Sequence, residues 1–362
     1  TAPTLPIVLL ADGAVLEAPE LSVLAGRIGL RLRAEKPFYD LVVVGGGPAG
    51  LAAAVYGASE GLRTLLVERE APGGQAGTSS RIENYLGFPS GLTGADLTRR
   101  AVAQARKFGA ELLTPQEVCG VRIDGQYRVL TLADGSEIST RALLIASGVA
   151  YRALDVPGAA SLTGAGVYYG AALTEAISCR DEEVLIVGGG NSAGQAALFF
   201  AQYASHVTLI VRGAGLGESM SQYLVDQVEA TANVTVLTRT RVAAMHGDER
   251  LRSVTLACDN EQRDMDATSL FAFIGAAPRT DWVASVVQRD EHGFILTGPD
   301  LEQENGRPRG WTLTRDPYLL ETNLPGVFCA GDVRHQSVKR VASAVGEGAI
   351  AVQFTHRYLA EG

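Results

Sequence analysis

The chain has 362 residues, is 46% hydrophobic and carries a formal net charge of -9. It is too long for one ordinary domain, so two or three are expected, and too apolar for intrinsic disorder. The acidic balance argues against nucleic acid or an anionic membrane as the main partner, and no apolar run approaches the roughly 18 residues of a spanning helix.

Residues 1–36 read as an N-terminal extension. Residues 6–10 are a short apolar strand and Asp12-Gly13 is a turn. Pro19 opens a helix on which Leu21, Leu24, Ala25 and Ile28 share a face, and Gly29 stops it. So short a piece cannot bury its own core, so it docks on the main body or ends a larger module. No basic-then-apolar leader opens the sequence, and a cytoplasmic location is expected.

From Tyr39 the pattern becomes strand (40–44), glycine turn (Gly45-Gly-Gly-Pro-Ala-Gly50), helix (51–59) and strand (62–67), closing on Glu68. It recurs 143 residues later as strand (183–187), Gly188-Gly-Gly-Asn-Ser-Ala193, helix (194–203) and strand (206–211). In such a turn the first glycine permits the tight bend. The second lets backbone approach a pyrophosphate, and the third lets helix pack on strand. The helix N-terminus then presents free N–H groups and a favourable dipole to the anion. Gly45, Gly47 and Gly50, with Glu68 for ribose hydroxyls, therefore read as one dinucleotide site. Gly188, Gly190, Asn191, Ser192 and Ala193 read as a second.

The second site differs from the first. A 143-residue step from Glu68 lands on Val211, so the ribose-binding acid is absent, and Arg212 follows. An arginine there can pair with a 2′-phosphate, which favours NADPH over NADH. Two different nucleotides on one chain suggest FAD plus NADPH or NADH, with the flavin doing the redox chemistry. Residues 298–316, rich in glycine, proline and charge, read as a surface loop. No histidine lies at ligand spacing from another or from a cysteine, so no metal site is expected, and His335 reads as a loop residue.

Gly45-Gly-Gly-Pro-Ala-Gly50, Gly73-Gly-Gln75, Ile82-Glu-Asn-Tyr-Leu-Gly-Phe-Pro89, Ala146-Ser-Gly148, Gly188-Gly-Gly-Asn-Ser-Ala193, Phe273-Ile-Gly275 and Gly331-Asp332 occur in this order. This series resembles bacterial thioredoxin reductase from about residue 38 to 360. The resemblance implies an α/β fold with two Rossmann-like domains. The FAD domain would comprise 37–149 and 281–362, with an NAD(P) domain (150–280) inserted, and hinges at 148–151 and 275–280. It also implies that Gly45, Gly47, Gly50 and Glu68 hold the FAD pyrophosphate and ribose. Gln75 and Asn84 would lie beside the adenosine-side and isoalloxazine contacts. Gly331-Asp332 would meet the ribityl-phosphate, and Arg340-Val341-Ala342 the pyrimidine edge of the flavin. Gly148 and Gly275 belong to the same nucleotide-binding set. A homodimer is implied as well.

Three departures qualify the resemblance. The family's redox Cys-x-x-Cys follows a Gly-Val pair, but here Gly166-Val167-Tyr-Tyr169 leads into Gly170-Ala-Ala-Leu173, with Thr174 in place of the usual acid. Disulfide exchange needs an attacking and a resolving thiol, and neither glycine nor leucine supplies one. The four cysteines, at 119, 179, 258 and 329, are too far apart in sequence to form the motif, and Cys179 and Cys329 read as packed thiols. The family's phosphate-binding His-Arg-Arg run, with a further arginine after it, is reduced to Val211-Arg212-Gly213, with Gly217 at the later place. Finally, the N-terminal piece resembles the tail of a thioredoxin-like module. The expected function is an FAD-dependent oxidoreductase that passes hydride from NAD(P)H to flavin and on to an unknown acceptor, protein or small molecule, with no catalytic side chain required. The alternatives are electron transfer of the ferredoxin–NADP+ reductase type and a flavin-binding regulatory protein with decayed catalysis.

Overall fold

Branched and aromatic side chains on both faces of Phe38–Val44 suit it to the middle of a parallel sheet, and four of its last five residues are nearly inaccessible. In the computed structural model, which describes residues 5–30, 32–77, 82, 85–169, 179–259, 261–304 and 306–361, this strand pairs in parallel with Thr64–Val67 and Glu137–Ile145. Glu111–Leu113 extends the sheet beyond Thr64–Val67. The strand Glu137–Ile145 changes partner along its length. Its first half pairs antiparallel with Tyr127–Leu132, and Leu143, Leu144 and Ile145 pair in parallel with Val327–Cys329. A strand from late in the chain thus completes a sheet begun at Phe38. This unit comprises Thr1–Val149 and Pro278–Gly362.

Helices Pro48–Ser59 and Val341–Glu361 pack together over this sheet, where Ala49, Ala53, Ala54, Ala344 and Ala351 meet Leu41, Val43 and Phe328. Small residues let the helix backbones approach: a Cβ on Gly348 would stand 2.1 Å from the Ala49 carbonyl oxygen. The far end of the last helix is fastened by Arg315, which pairs with fully buried Glu321 and with Glu361 at 2.7 Å each.

Two expectations need correction in this unit. The N-terminal piece is a hairpin, Ile7–Leu9 with Val15–Glu17, followed by helix Leu21–Arg27. Only Ala25 of the expected apolar face is buried, and Leu21 and Ile28 are 55% and 56% exposed. The stretch 298–316 is more than a surface loop, since Gly298, Leu301 and Trp311 are buried and Trp311 donates to the Arg315 carbonyl.

The second unit, Ala150–Ala277, holds a five-stranded parallel sheet in the order Val167–Tyr169, Ser269–Ala272, Glu183–Val187, His206–Ile210, Val234–Leu237. Helices Asn191–Phe200 and Gln222–Ala230 cover one face through Ala193, Ala197, Phe200, Leu224 and Val228. A three-stranded antiparallel sheet follows, of Thr240–His246, Ser253–Cys258 and Glu261–Asp266. The two connecting segments, Val149–Tyr151 and Ala276–Pro278, pair with each other as a ribbon. Among the described residues no helix is long and apolar enough to cross a membrane.

Candidate nucleotide-binding sites

In the first unit the candidate residues follow the C-terminal ends of four parallel strands: Gly45 after Val44, Glu68 after Val67, Gly148 after Ile145 and Gly331 after Cys329. That edge is where open α/β sheets bind ligands. Gly45 has φ +108 and donates its N–H to the Val67 carbonyl at 2.8 Å, while Ala146 donates to Val44 at 2.8 Å. The bend is closed on both sides. A Cβ on Gly45 would lie 2.3 Å from the Ala146 oxygen, and one on Gly50 would lie 1.9 Å from the Gly45 oxygen. Gly47, which caps Pro48–Ser59, has no atom within 4 Å of its Cβ position. Closed flanks with open space over a helix N-terminus form a cradle that fits a pyrophosphate.

Glu68 is held at the lip of that cradle. Its Oε2 accepts from the Gly46 N–H at 2.6 Å and its Oε1 from the Glu70 N–H at 2.9 Å, which leaves further lone pairs for ribose hydroxyls. Gly73 donates to the Gly46 carbonyl at 2.7 Å, and a Cβ on Gly74 would lie 3.1 Å from the Gly47 Cα. Gln75, on the short helix Gly74–Gly77, is thereby brought to the same turn. Asn84 lies outside the described residues.

The Gly331 loop is tied down by a residue the sequence did not single out. Glu347, on Val341–Glu361, accepts from the Gly331 N–H and from Arg334, both at 2.7 Å. A Cβ on Gly331 would approach the Ala49 Cβ to 3.1 Å, so this loop borders the start of Pro48–Ser59. Asp332 is partly buried and receives no hydrogen bond from the described residues. Burial raises its carboxyl above the ordinary range against the opposing pull of Lys339, a setting that suits a hydroxyl-rich ligand chain. Arg340 is exposed and donates to the Lys339 carbonyl, Val341 opens the last helix, and Ala342 is exposed beside it. Gly148, at φ +64, accepts from the Arg279 N–H at 3.1 Å. His335 is not a free loop residue: its Nδ1 bonds Asp290 Oδ2 at 2.7 Å and it is only 25% exposed.

The second unit repeats this backbone. Gly188 has φ +149 and donates to Ile210 at 3.0 Å, Phe273 donates to Val187 at 2.7 Å, and a Cβ on Gly188 would meet the Phe273 oxygen at 2.5 Å. Gly190 caps Asn191–Phe200, Ala193 is buried, and Ser192 is exposed at the helix start. Asn191 Oδ1 accepts from the Ser221 N–H at 2.7 Å. Gly275, at φ +93, accepts from the Arg152 N–H at 3.0 Å. Arg212 is exposed and bonds nothing among the described residues.

None of the four cysteines forms a disulfide among the described residues. Gly170, Leu173 and Thr174, which stand where the redox motif is expected, lie outside the described residues. Cys179 is buried beside Ser269, with Sγ 3.4 Å from Oγ. Cys329 is wholly buried, and burial holds its thiol well above the ordinary range, in the unreactive protonated form.

Comparison with known proteins agrees with this geometry. The family model described as pyridine nucleotide-disulphide oxidoreductase matches residues 39–348. A thioredoxin reductase of Listeria innocua is 32% identical over 91% of this chain and 97% of its own length. One of Mycolicibacterium smegmatis is 33% identical over 89% and 97%. The crystal structure of thioredoxin reductase from Streptococcus pyogenes superposes with a TM-score of 0.70 at 29% identity, covering 90% of this chain and 99% of that one. With two glycine turns of one geometry and matches along nearly its whole length, this chain belongs to the pyridine nucleotide-disulphide oxidoreductase family and is a thioredoxin-reductase-like, FAD-dependent NAD(P)H oxidoreductase.

Proposed function

We propose that the unit built from both ends of the chain holds FAD, that the inserted unit holds the nicotinamide nucleotide, and that electrons leave for an external acceptor without any dithiol of this chain. FAD, when bound, would supply the two-electron redox chemistry between the dihydronicotinamide and the acceptor. Gly47 and the first amides of Pro48–Ser59 would face the FAD pyrophosphate, with Gly45 and Gly50 shaping the turn. Glu68 would take the ribose hydroxyls and Asp332 the ribityl chain. Gln75 and Asn84 would serve the adenosine and isoalloxazine sides, and Arg340, Val341 and Ala342 the pyrimidine edge. Gly188, Gly190, Asn191, Ser192 and Ala193 would hold the second pyrophosphate. Hydride transfer asks no side chain to act as acid or base, and positioning supplies the rate.

The observation that carries this reading is the repeated backbone: the turns at Gly45 and Gly188 are closed by the same two strand hydrogen bonds, one from each glycine and one to the residue before it, and by the same close approach. The relatives are named for reducing thioredoxin. This sequence contains no Cys-x-x-Cys, so that step is unavailable through a dithiol of its own. A cytoplasmic homodimer is part of the same reading. Anaerobic mixing with NADH or NADPH should bleach the flavin, and a panel of quinone, ferredoxin, oxygen and disulfide should reveal which acceptor restores its colour. Failure of both nucleotides to bleach it would sink the reading.

A further inference from the structure

The loop after His206–Ile210 carries a carboxylate, Glu218, as well as Arg212. Glu218 ends a short 3-10 turn, Leu216–Glu218, and its Oε1 accepts from the Ala214 N–H at 2.9 Å. Its Oε2 stands 2.4 Å from the point that a Cβ on Gly213 would occupy, so the acid lies flat on the backbone just beyond the strand end. The loop is in turn fastened over the glycine turn. Ser219 Oγ donates to the Gly189 carbonyl at 3.0 Å, and the Ser221 N–H donates to Asn191 at 2.7 Å. A Cβ on Gly189 would meet Val211 Cγ1 at 3.1 Å and Ser219 Oγ at 3.4 Å.

In a strand–turn–helix nucleotide unit the adenosine ribose sits near the end of the second strand. An acid there accepts from the 2′-hydroxyl and repels a 2′-phosphate. Val211 holds the strand-end position, and Glu218, folded back seven residues later, sets its carboxylate against the backbone of Gly213 and Ala214 just beyond that end. Arg212 beside it is exposed, and no described residue orients it. Building on the proposed nicotinamide role of this unit, we infer that Glu218 is a specificity-determining residue that makes NADH, rather than NADPH, the electron donor.

The test uses the FAD-loaded protein and reads binding apart from chemistry. Calorimetric titration should show ADP-ribose binding roughly ten- to a hundredfold more tightly than its 2′-phosphate, from charge repulsion at short range. E218Q keeps an acceptor for the Ala214 N–H and loses the charge, so the ratio should fall about tenfold. Anaerobic bleaching with NADH and NADPH forms the second arm. A preference for ADP-ribose that E218Q relaxes supports the assignment even if neither nucleotide bleaches the flavin, in which case only the donor reading falls. Equal or tighter binding of the 2′-phosphate, a ratio that E218Q leaves unchanged, a ratio moved only by R212A, or no binding of either ligand overturns it.

Discussion

The two glycine turns share a backbone and differ in how they are finished. In the first, the third glycine is obligatory, because a Cβ on Gly50 would fall 1.9 Å from the Gly45 oxygen. In the second, the matching residue is Ala193, fully buried, so that bend accommodates a methyl group. The acid differs too. Glu68 comes from the strand end and grips the Gly46 N–H, whereas Glu218 comes from a loop and grips Ala214 instead. On the proposed reading, shared topology would set where a nucleotide lies, and the residues that discriminate between nucleotides would be attached independently in each unit.

Reciprocal substitution is the sharpest way to break this comparison. G50A should lose FAD on gel filtration and cost more than about 3 kcal/mol of stability, since backbone cannot yield to the new Cβ. A193G should cost only about 1 kcal/mol, the helix penalty of glycine over alanine. G50A retaining flavin with an unchanged melting temperature would refute the closed first turn.

Removing the strand-end acid comes next. E68A leaves the Gly46 N–H without its partner and should weaken FAD binding about ten- to a hundredfold, read by flavin titration of the apoprotein. An unchanged affinity would separate Glu68 from the site.

Asp332 gives a smaller effect with a definite sign. Its folded-state carboxyl is raised by burial, so the native state binds more protons than the unfolded one just above the ordinary carboxylate range. This group therefore costs stability as pH rises through that window. At neutral pH D332N apoprotein should melt about 1–3 °C higher, while its FAD affinity falls about tenfold. A lower melting temperature would contradict the sign.

The smallest effect expected is on thiol reactivity. Exposed Cys119 and Cys258 should label in the native protein, and buried Cys179 and Cys329 only after unfolding. Native labelling of Cys329 would reopen a redox role for it.

Both strand–turn–helix units are legible in the sequence because a buried parallel strand is a continuous apolar run and the following turn needs glycine. What escapes is side-chain fold-back across a gap. Glu218 reaches Ala214 only because Leu216–Glu218 curls into a 3-10 turn against a bare Gly213, and no periodicity announces that. Glu347 bonds the Gly331 loop from the second turn of a later helix. His335 looked like a loop residue because its partner, Asp290, is 45 residues away. The N-terminal helix was visible from its apolar spacing, but spacing cannot tell whether a neighbour covers that face.

The change of partner along Glu137–Ile145 has a consequence for biosynthesis. When Leu143, Leu144 and Ile145 leave the ribosome, Phe38–Val44 is already there to pair with them, but Val327–Cys329 is not. At about 5–20 residues per second, that side of the strand stays uncovered on the order of ten seconds or more. The inserted unit, Ala150–Ala277, is contiguous and can close within that interval. The first unit therefore waits with an open sheet edge, of the kind that recruits stray strands, until the last of its chain arrives.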